Sequence, residues 1–328
     1  MQACPDFTIA YVITSDGRDV FGNMALVSML TVRATNSQSR ILLVCDALSM
    51  RALRSVRHRV LEVCDELVPV DTPPGEPTFR NRWIKTQLCR YVSGPCLYLD
   101  ADMLVRGSLA DLPSLAPELG VVANHNQDDL ADQMWVEDAE FLRRMGWPGV
   151  FPFYANGGLQ FYRQCTGTER FYEAWHRLWL DGVNATGRLR DQPSLNTAIS
   201  ESGVKASRLP EKFNLQLQAG HRGVSAALVW HFWAAAELQD SAFRRLLQTV
   251  PTANLGDLER RVRRVITRPY PYPNQDFLGR RIGRKIENDE EVATFEKLWL
   301  MSRRAAVRFW AGGVKARFAR TRVVAGSP

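Results

Sequence analysis

The sequence predicts an α/β fold: a doubly wound, mostly parallel sheet flanked by helices, with a basic helical C-terminal extension. Three observations carry this. Apolar runs of strand length recur through the first half, segments with helical spacing separate them, and 45% hydrophobic content in 328 residues suffices for one large core or two.

Taken in order, residues 7–16 (FTIAYVITSD) form a near-continuous apolar strand, and residues 20–34 follow with Met24, Val27, Ser28, Leu30 and Thr31 at helical spacing. Residues 41–46 (ILLVCD) are a second buried strand, trailed by a basic helix from Arg51 to Val60. A short strand at 66–70, a Pro/Gly loop over 71–77 and a helix over 81–92 lead to a strand at 95–100 (PCLYLD). The second half is less regular. It holds a strand at 120–123, a helix at 137–145, an aromatic segment interrupted by glycines at 151–163 (FPFYANGGLQFYR), helices at 169–180 and 192–200, and a strand at 228–232. Basic helical pieces broken by RPYPYPN (268–274) then mark an extension over 241–328, distinct from a domain spanning 1–240. In such sheets ligands bind beyond the carboxyl ends of strands.

The net charge of +7 is uneven: residues 257–328 hold 17 Lys/Arg against 8 Asp/Glu, which leaves the rest of the chain at −2. A basic surface suits nucleic acid, an anionic membrane or an acidic glycan, and charge alone does not choose. The six cysteines show no C-x-x-C spacing and mostly sit in apolar runs, as reduced thiols do. The start of the chain has neither a basic n-region nor a small-residue cleavage site, so it reads as a first strand and not as a signal peptide. The most apolar window, 224–236, is interrupted by His231 and is shorter than the roughly 20 residues of a spanning helix.

The strand PCLYLD delivers Asp100 to the sheet edge, and Asp102 follows two residues later on the same side of an extended chain. Two hard oxygen ligands side by side suit Mg2+ or Mn2+ shared with substrate phosphates. A carboxylate here can also simply cap the turn after a strand. The apolar flanks, however, offer no reason for two carboxylates unless a cation neutralises them. His231, in LVWHFW, is in isolation either a core histidine bonded through one ring nitrogen or a ligand for Mn2+. Asn156 precedes Gly157 and Gly158, an arrangement that fits close approach of backbone to a ligand and equally a bulge. Asp191-Gln192-Pro193 opens a helix, for which Asp191 as N-cap is a complete account. Arg82 and Lys85 lie on the preceding helix, where a cation would offset a diphosphate or be merely solvated.

Together these pieces resemble the nucleotide-diphosphosugar transferases of glycosyltransferase family 8, the group of glycogenin and bacterial lipopolysaccharide galactosyl- and glucosyltransferases. The likeness covers about residues 7–235. Four landmarks occur in the family's order: the strand ending in Thr14, Ser15 and Asp16; YLDADMLV; NGGLQF where the family tends to have N-A-G; and DQPSLN for D-Q-x-x-L-N. His231 falls where the family places a late metal-binding histidine. The resemblance implies a GT-A fold, Mn2+ (or Mg2+), a UDP-sugar donor, and retaining hexosyl transfer to a glycan or lipid-linked acceptor. Carried over, Asp100, Asp102 and His231 are metal ligands, with Ala101 between the acids in the nucleotide-sugar site. Thr14 and Asp16 contact base or ribose, Lys85 is a basic donor-site residue, and Asn156, Gly157, Gly158, Asp191 and Gln192 line the donor sugar and reacting carbon. Two departures stand out: Gly157 occupies the alanine position of N-A-G, and Phe232-Trp233 follows His231 without the family's downstream G-x-K-P-W.

Residues 292–324 mix Trp299, Phe309, Trp310 and Phe318 with seven arginines and lysines from Arg303 onward. Such a helix lies on an anionic membrane or packs its aromatics on the domain. No nucleic-acid module accompanies the charge, and the expected location is the cytoplasm, either free or, if the tail meets lipid, peripheral on the inner face of the membrane. Two rival readings exist. A phosphohydrolase of the haloacid dehalogenase type wants Thr or Val where Leu104 stands, and wants its D-x-D near the chain start. A catalytically silent nucleotide-sugar-binding protein, or a scaffold protein, would keep the same fold.

Overall fold

The computed structural model describes residues 7–217, 224–233, 241–268 and 271. The expected membrane-contacting segment 292–324 lies outside the described residues, as does most of RPYPYPN.

Ten strands are described: β1 Thr8–Ile13, β2 Ile41–Asp46, β3 Glu66–Val70, β4 Cys96–Leu99, β5 Met103–Val105, β6 Leu119–Ala123, β7 Ala155–Tyr162, β8 Ala206–Leu209, β9 Leu215–Gln216 and β10 Val229–His231. Seven form one sheet in the order β3-β2-β1-β4-β7-β6-β8. Strands β3, β2, β1 and β4 are parallel, β7 runs against both β4 and β6, and β8 is parallel to β6. The doubly wound, mostly parallel α/β architecture is therefore observed, with one reversed strand. Both faces of the sheet are covered. Ile9, Tyr11 and Ile13 pack with the helix Val20–Thr35, while Ala10 and Val12 face Ile84, Phe171 and Trp175 on the other side. This two-sided burial is why β1 and β2 read as unbroken apolar runs.

Strands β5, β10 and β9 form a second, small sheet. The strand expected at 228–232 belongs here, paired antiparallel with β5. Only Asp100, Ala101 and Asp102 separate β4 in the large sheet from β5 in the small one.

Three helices differ from expectation, and the longest of them, read at 169–180, spans Thr166–Thr186 and ends at Gly187 with φ 70°. The one read at 81–92 spans Pro77–Lys85: Pro77 takes the first helical position, where its missing N–H costs nothing, and Gln87 at φ −127° leaves the helical region. The one read at 51–60 spans Ala47–Ser55, capped by Asp46, and Arg57 at φ 50° stops its continuation. Helices Ala242–Thr249 and Leu255–Ile266 bury Phe243, Leu246, Leu258, Val262 and Ile266 in the cluster that holds the helix Val20–Thr35, so residues 241–268 share the core of the sheet. Among the described residues no helix is long and apolar enough to cross a membrane.

Candidate metal centre and flanking clefts

The junction between the sheets builds the site. Register in the small sheet sets His231 opposite Met103, and the Phe232 N–H donates to the Asp102 carbonyl at 2.9 Å. His231 Nε2 therefore stands 3.4 Å from Asp102 Oδ1. One ligand atom from each of Asp100, Asp102 and His231 lies within 4.8 Å of the others. Strand β7 closes the site from the side. Its pairing with β6 jumps from Val121↔Gln160 to Val122↔Asn156, so residues 157–159 leave that ladder, and the Asp100 N–H bonds the Gly158 carbonyl at 2.8 Å. A Cβ on Gly158 would meet His231 Cε1 at 2.6 Å and Met103 Cε at 2.8 Å, whereas one on Gly157 meets only ordinary contacts, 3.5 Å from Leu195 Cδ2 and 3.6 Å from Lys85 Nζ. Glycine is required by space at 158 and not at 157. The Gly157 departure from N-A-G thus leaves room where the family has a methyl group.

A buried amide network sets the imidazole. The Gly158 N–H donates to Asn156 Oδ1 at 2.9 Å, which identifies that atom as the carbonyl oxygen, so Asn214 Nδ2 is the donor in its 3.0 Å contact with the same oxygen. Asn214 Oδ1 must then accept, and His231 Nδ1, 2.9 Å away, carries the proton. In the neutral ring this leaves the lone pair on His231 Nε2, facing Asp102, which is the form that binds a metal. Asn156 Nδ2 donates onward to Asn124 Oδ1 and Gln216 Oε1. Both atoms of the Asn156 amide are thereby engaged within the protein, although the residue also lines the cleft. Asn124, Asn214 and Gln216 escape motif reading. The signal that could have found them is the alternation N-L-Q at 214–216, a polar face inside a buried strand.

Asp100 Oδ1 accepts from the Tyr98 hydroxyl and, at 3.3 Å, from Lys85 Nζ. Lys85, only 3% exposed, also reaches Asp191 Oδ2 at 3.2 Å, and Arg82 Nε meets Asp191 Oδ1 at 3.2 Å. Asp191 begins the helix Gln192–Ser202 without capping it by its side chain. Its carbonyl instead receives Trp175 Nε1 and Ser194 Oγ, and its carboxylate turns to the two cations. Burial pushes the Asp191 carboxyl up, but Arg82 and Lys85 more than offset this and hold it below the usual carboxylate range. Burial acts likewise on Asp102, which the His231 ring, when it carries a proton on Nε2, and Lys85 hold low. Gln192 Nε2 is buried without a hydrogen-bond partner.

Two clefts meet at the acidic triplet, sharing Arg82, Asp100 and Asp102. One, of about 260 Å3, is walled by Val12, Ile13, Phe21 and Met24 with Thr14, Thr78 and Asn81. The other, of about 530 Å3, contains Lys85, Asn156, Gly157, Gly158, Asp191, Gln192 and His231. Thr14 Oγ1 donates to the Pro77 carbonyl at 2.8 Å. Asp16 is exposed and outside both cleft walls; its Oδ1 receives the N–H groups of Arg18 and Asp19, which holds it low. The donor set of two carboxylates and a neutral imidazole fits a divalent first-row cation or Mg2+. The buried Asp102 Oδ1, without a hydrogen-bond partner and 3.4 Å from His231 Nε2, fits the same role.

No protein-family model and no curated protein matches the chain. Solved structures of similar course include the galactosyltransferase LgtC in complex with donor and acceptor sugar analogs, at 15% identity and TM-score 0.49 over 76% of this chain and 98% of that one. Mouse xyloside xylosyltransferase 1 in its apo form shares 13% identity at TM-score 0.45 over 69% and 97%. The glycosyltransferase GlyE of Streptococcus pneumoniae TIGR4 shares 14% at TM-score 0.49 over 81% and 66%. At this distance chemistry has to be read from the side chains themselves.

Proposed function

We propose that the chain is a retaining, divalent-metal-dependent glycosyltransferase moving a hexose from a UDP-sugar to a glycan or lipid-linked hydroxyl. The observation that carries this reading is the convergence of Asp100, Asp102 and His231 within 4.8 Å at the meeting of two clefts. A cleft with apolar walls and a few polar groups suits a nucleoside, a polar cleft suits a hexose, and a diphosphate joins the two over the triplet.

Asp100, Asp102 and His231 would hold the ion, and a bound Mn2+ or Mg2+ supplies Lewis-acid stabilisation of charge on a departing diphosphate. Lys85 pairs with both Asp100 and Asp191, and together with Arg82 it holds the Asp191 carboxyl below the usual range. Arg82 lines both clefts and adds positive charge where a diphosphate would lie. Asp191 and Gln192 face the reacting carbon, where the unpartnered Gln192 Nε2 donates to a sugar hydroxyl. In the transfer, the bond between the anomeric carbon and the diphosphate oxygen breaks, with the electron pair leaving on oxygen. The acceptor oxygen bonds the same carbon on the same face, and its proton passes to the leaving phosphate. Double displacement through Asp191 is disfavoured because two cations at 3.2 Å lower that carboxylate's nucleophilicity.

The test is a thermal-shift and donor-hydrolysis screen of nucleotide sugars with Mn2+, with Asp102→Ala as control, followed by product stereochemistry. Metal-dependent stabilisation by UDP-sugars, lost in Asp102→Ala, is expected. No stabilisation of the wild type would favour the scaffold, and an inverted product would remove the retaining mechanism.

A further inference from the structure

The wider cleft has a wall that donor binding leaves unexplained. His125, Trp135 and Trp233 meet there. The rings of His125 and Trp135 stand edge-on with centroids 4.5 Å apart, and Trp233 lies 6.0 Å from Trp135 and 6.5 Å from His125. The two indoles remain 37% and 42% exposed, and leaving apolar surface in water forgoes stabilisation that burial would bring. The backbone beneath them is strained as well. His125 at φ 57° and Asn126 at φ 53° are consecutive non-glycine residues in the left-handed region, which side chains other than glycine adopt at a cost.

That conformation is held by the same strand that orders the metal centre. The His125 N–H donates to Gln216 Oε1 at 2.8 Å, the Gln216 N–H donates to Asn126 Oδ1 at 2.7 Å, and Asn126 Nδ2 reaches the Asn214 carbonyl at 2.9 Å. Trp233 follows His231 by two residues. The aromatic wall is therefore fixed relative to the metal ligands through Asn214, Gln216 and β10. Glu137 and Arg190 complete the cleft with one acceptor and one donor group, and Arg190 is steadied by Asp138 at 2.9 Å.

We propose that His125, Trp135 and Trp233 form a subsite for a pyranose ring, the acceptor glycan's reacting residue. Its face of C–H bonds lies on the indoles and its hydroxyls meet Glu137 and Arg190. Ring C–H bonds are positively polarised and aromatic faces are negative, so an exposed indole face selects a ring with an apolar face. One acid and one base suit neutral hydroxyls better than a phosphate, for which a purely basic rim would be expected. Calling this ring the acceptor rests on the transfer function proposed above; the pyranose subsite itself does not.

The experiment is saturation-transfer NMR on the full chain with methyl β-D-galactopyranoside and methyl β-D-glucopyranoside, and sorbitol as the open-chain control. Saturation should reach the ring C–H protons of at least one pyranoside and not sorbitol. Trp135→Ala and Trp233→Ala should each weaken binding about fivefold or more, and Trp→Phe at either position should restore most of it, because a ring face remains. Circular dichroism and melting temperature establish that the variants are folded. Undiminished pyranoside signal in both alanine variants, or equal transfer to sorbitol, would overturn the subsite. Titration of the wild type with UDP and Mn2+ reads the other proposal separately: no UDP binding beside a tryptophan-dependent pyranoside signal removes the transfer function and leaves the subsite standing.

Discussion

Strands β2 and β4 both bring an aspartate to the same edge of the sheet, and the two acids are used in opposite ways. Asp46 leads into a helix: its Oδ1 accepts the Ser49 N–H at 2.7 Å as N-cap, and its Oδ2 pairs with the buried Arg80 at 2.7 Å. Both oxygens are consumed by structure. Asp100 and Asp102 lead into another strand, so there is no helix start to cap, and their carboxylates turn with His231 toward shared space. The next element of the chain, helix or strand, decides whether an acid at a strand's end is a cap or a candidate ligand.

The largest effects should separate the two acids cleanly. Asp102→Ala is expected to lower sugar transfer about 1,000-fold, with only a small loss of melting temperature, because Asp102 Oδ1 has no hydrogen bond to lose and the His231 ring at 3.4 Å is its one ion-pair partner. Asp46→Ala strands Arg80 and should cost about 3–5 kcal/mol in denaturant unfolding, with transfer per folded molecule retained. A large loss of stability in Asp102→Ala would break the contrast.

Asp138 sharpens it from another side, as an acid whose charge burial penalises. Its carboxyl is pushed up to about 6 by burial, with Arg190 only partly offsetting this. Its folded value lies above the unfolded one near 3.9, so the contribution of Asp138 to stability should be largest below about pH 4 and be lost as pH rises from about 4 to about 6, by on the order of 2–3 kcal/mol. Unfolding free energies across that window, compared with Asp138→Asn, test this: the variant should lose the slope.

Smaller effects probe the support of the triad. Asn214→Ala releases the His231 tautomer and should weaken Mn2+ binding about 10- to 100-fold by calorimetry. Gly158→Ala should act in the same direction, since the added methyl meets the imidazole. Gly157→Ala, with room for a methyl group, should change stability by less than about 0.5 kcal/mol. A Gly157→Ala variant as damaged as Gly158→Ala would contradict the spatial distinction between them.

Most of the parallel half was legible because strands buried on both faces leave an unbroken apolar signature, as at residues 41–46. Strand β5 was not, since three residues carry no period, and the Asp191 carboxylate was not, since a helix start is explained equally well by capping. The aromatic wall drew on residues 125, 135 and 233, whose meeting no local pattern announces.

By itself the sequence determined the alternation of strands and helices and the pair of acids at the end of an apolar strand, because periodicity and composition act locally. Only the tertiary structure decided that a second sheet receives the chain after Asp102, that its register lays His231 beside that acid, and that Asn214 holds the imidazole with its lone pair toward it. Those relations join residues far apart in the chain, and long-range pairing leaves no mark on the residues between.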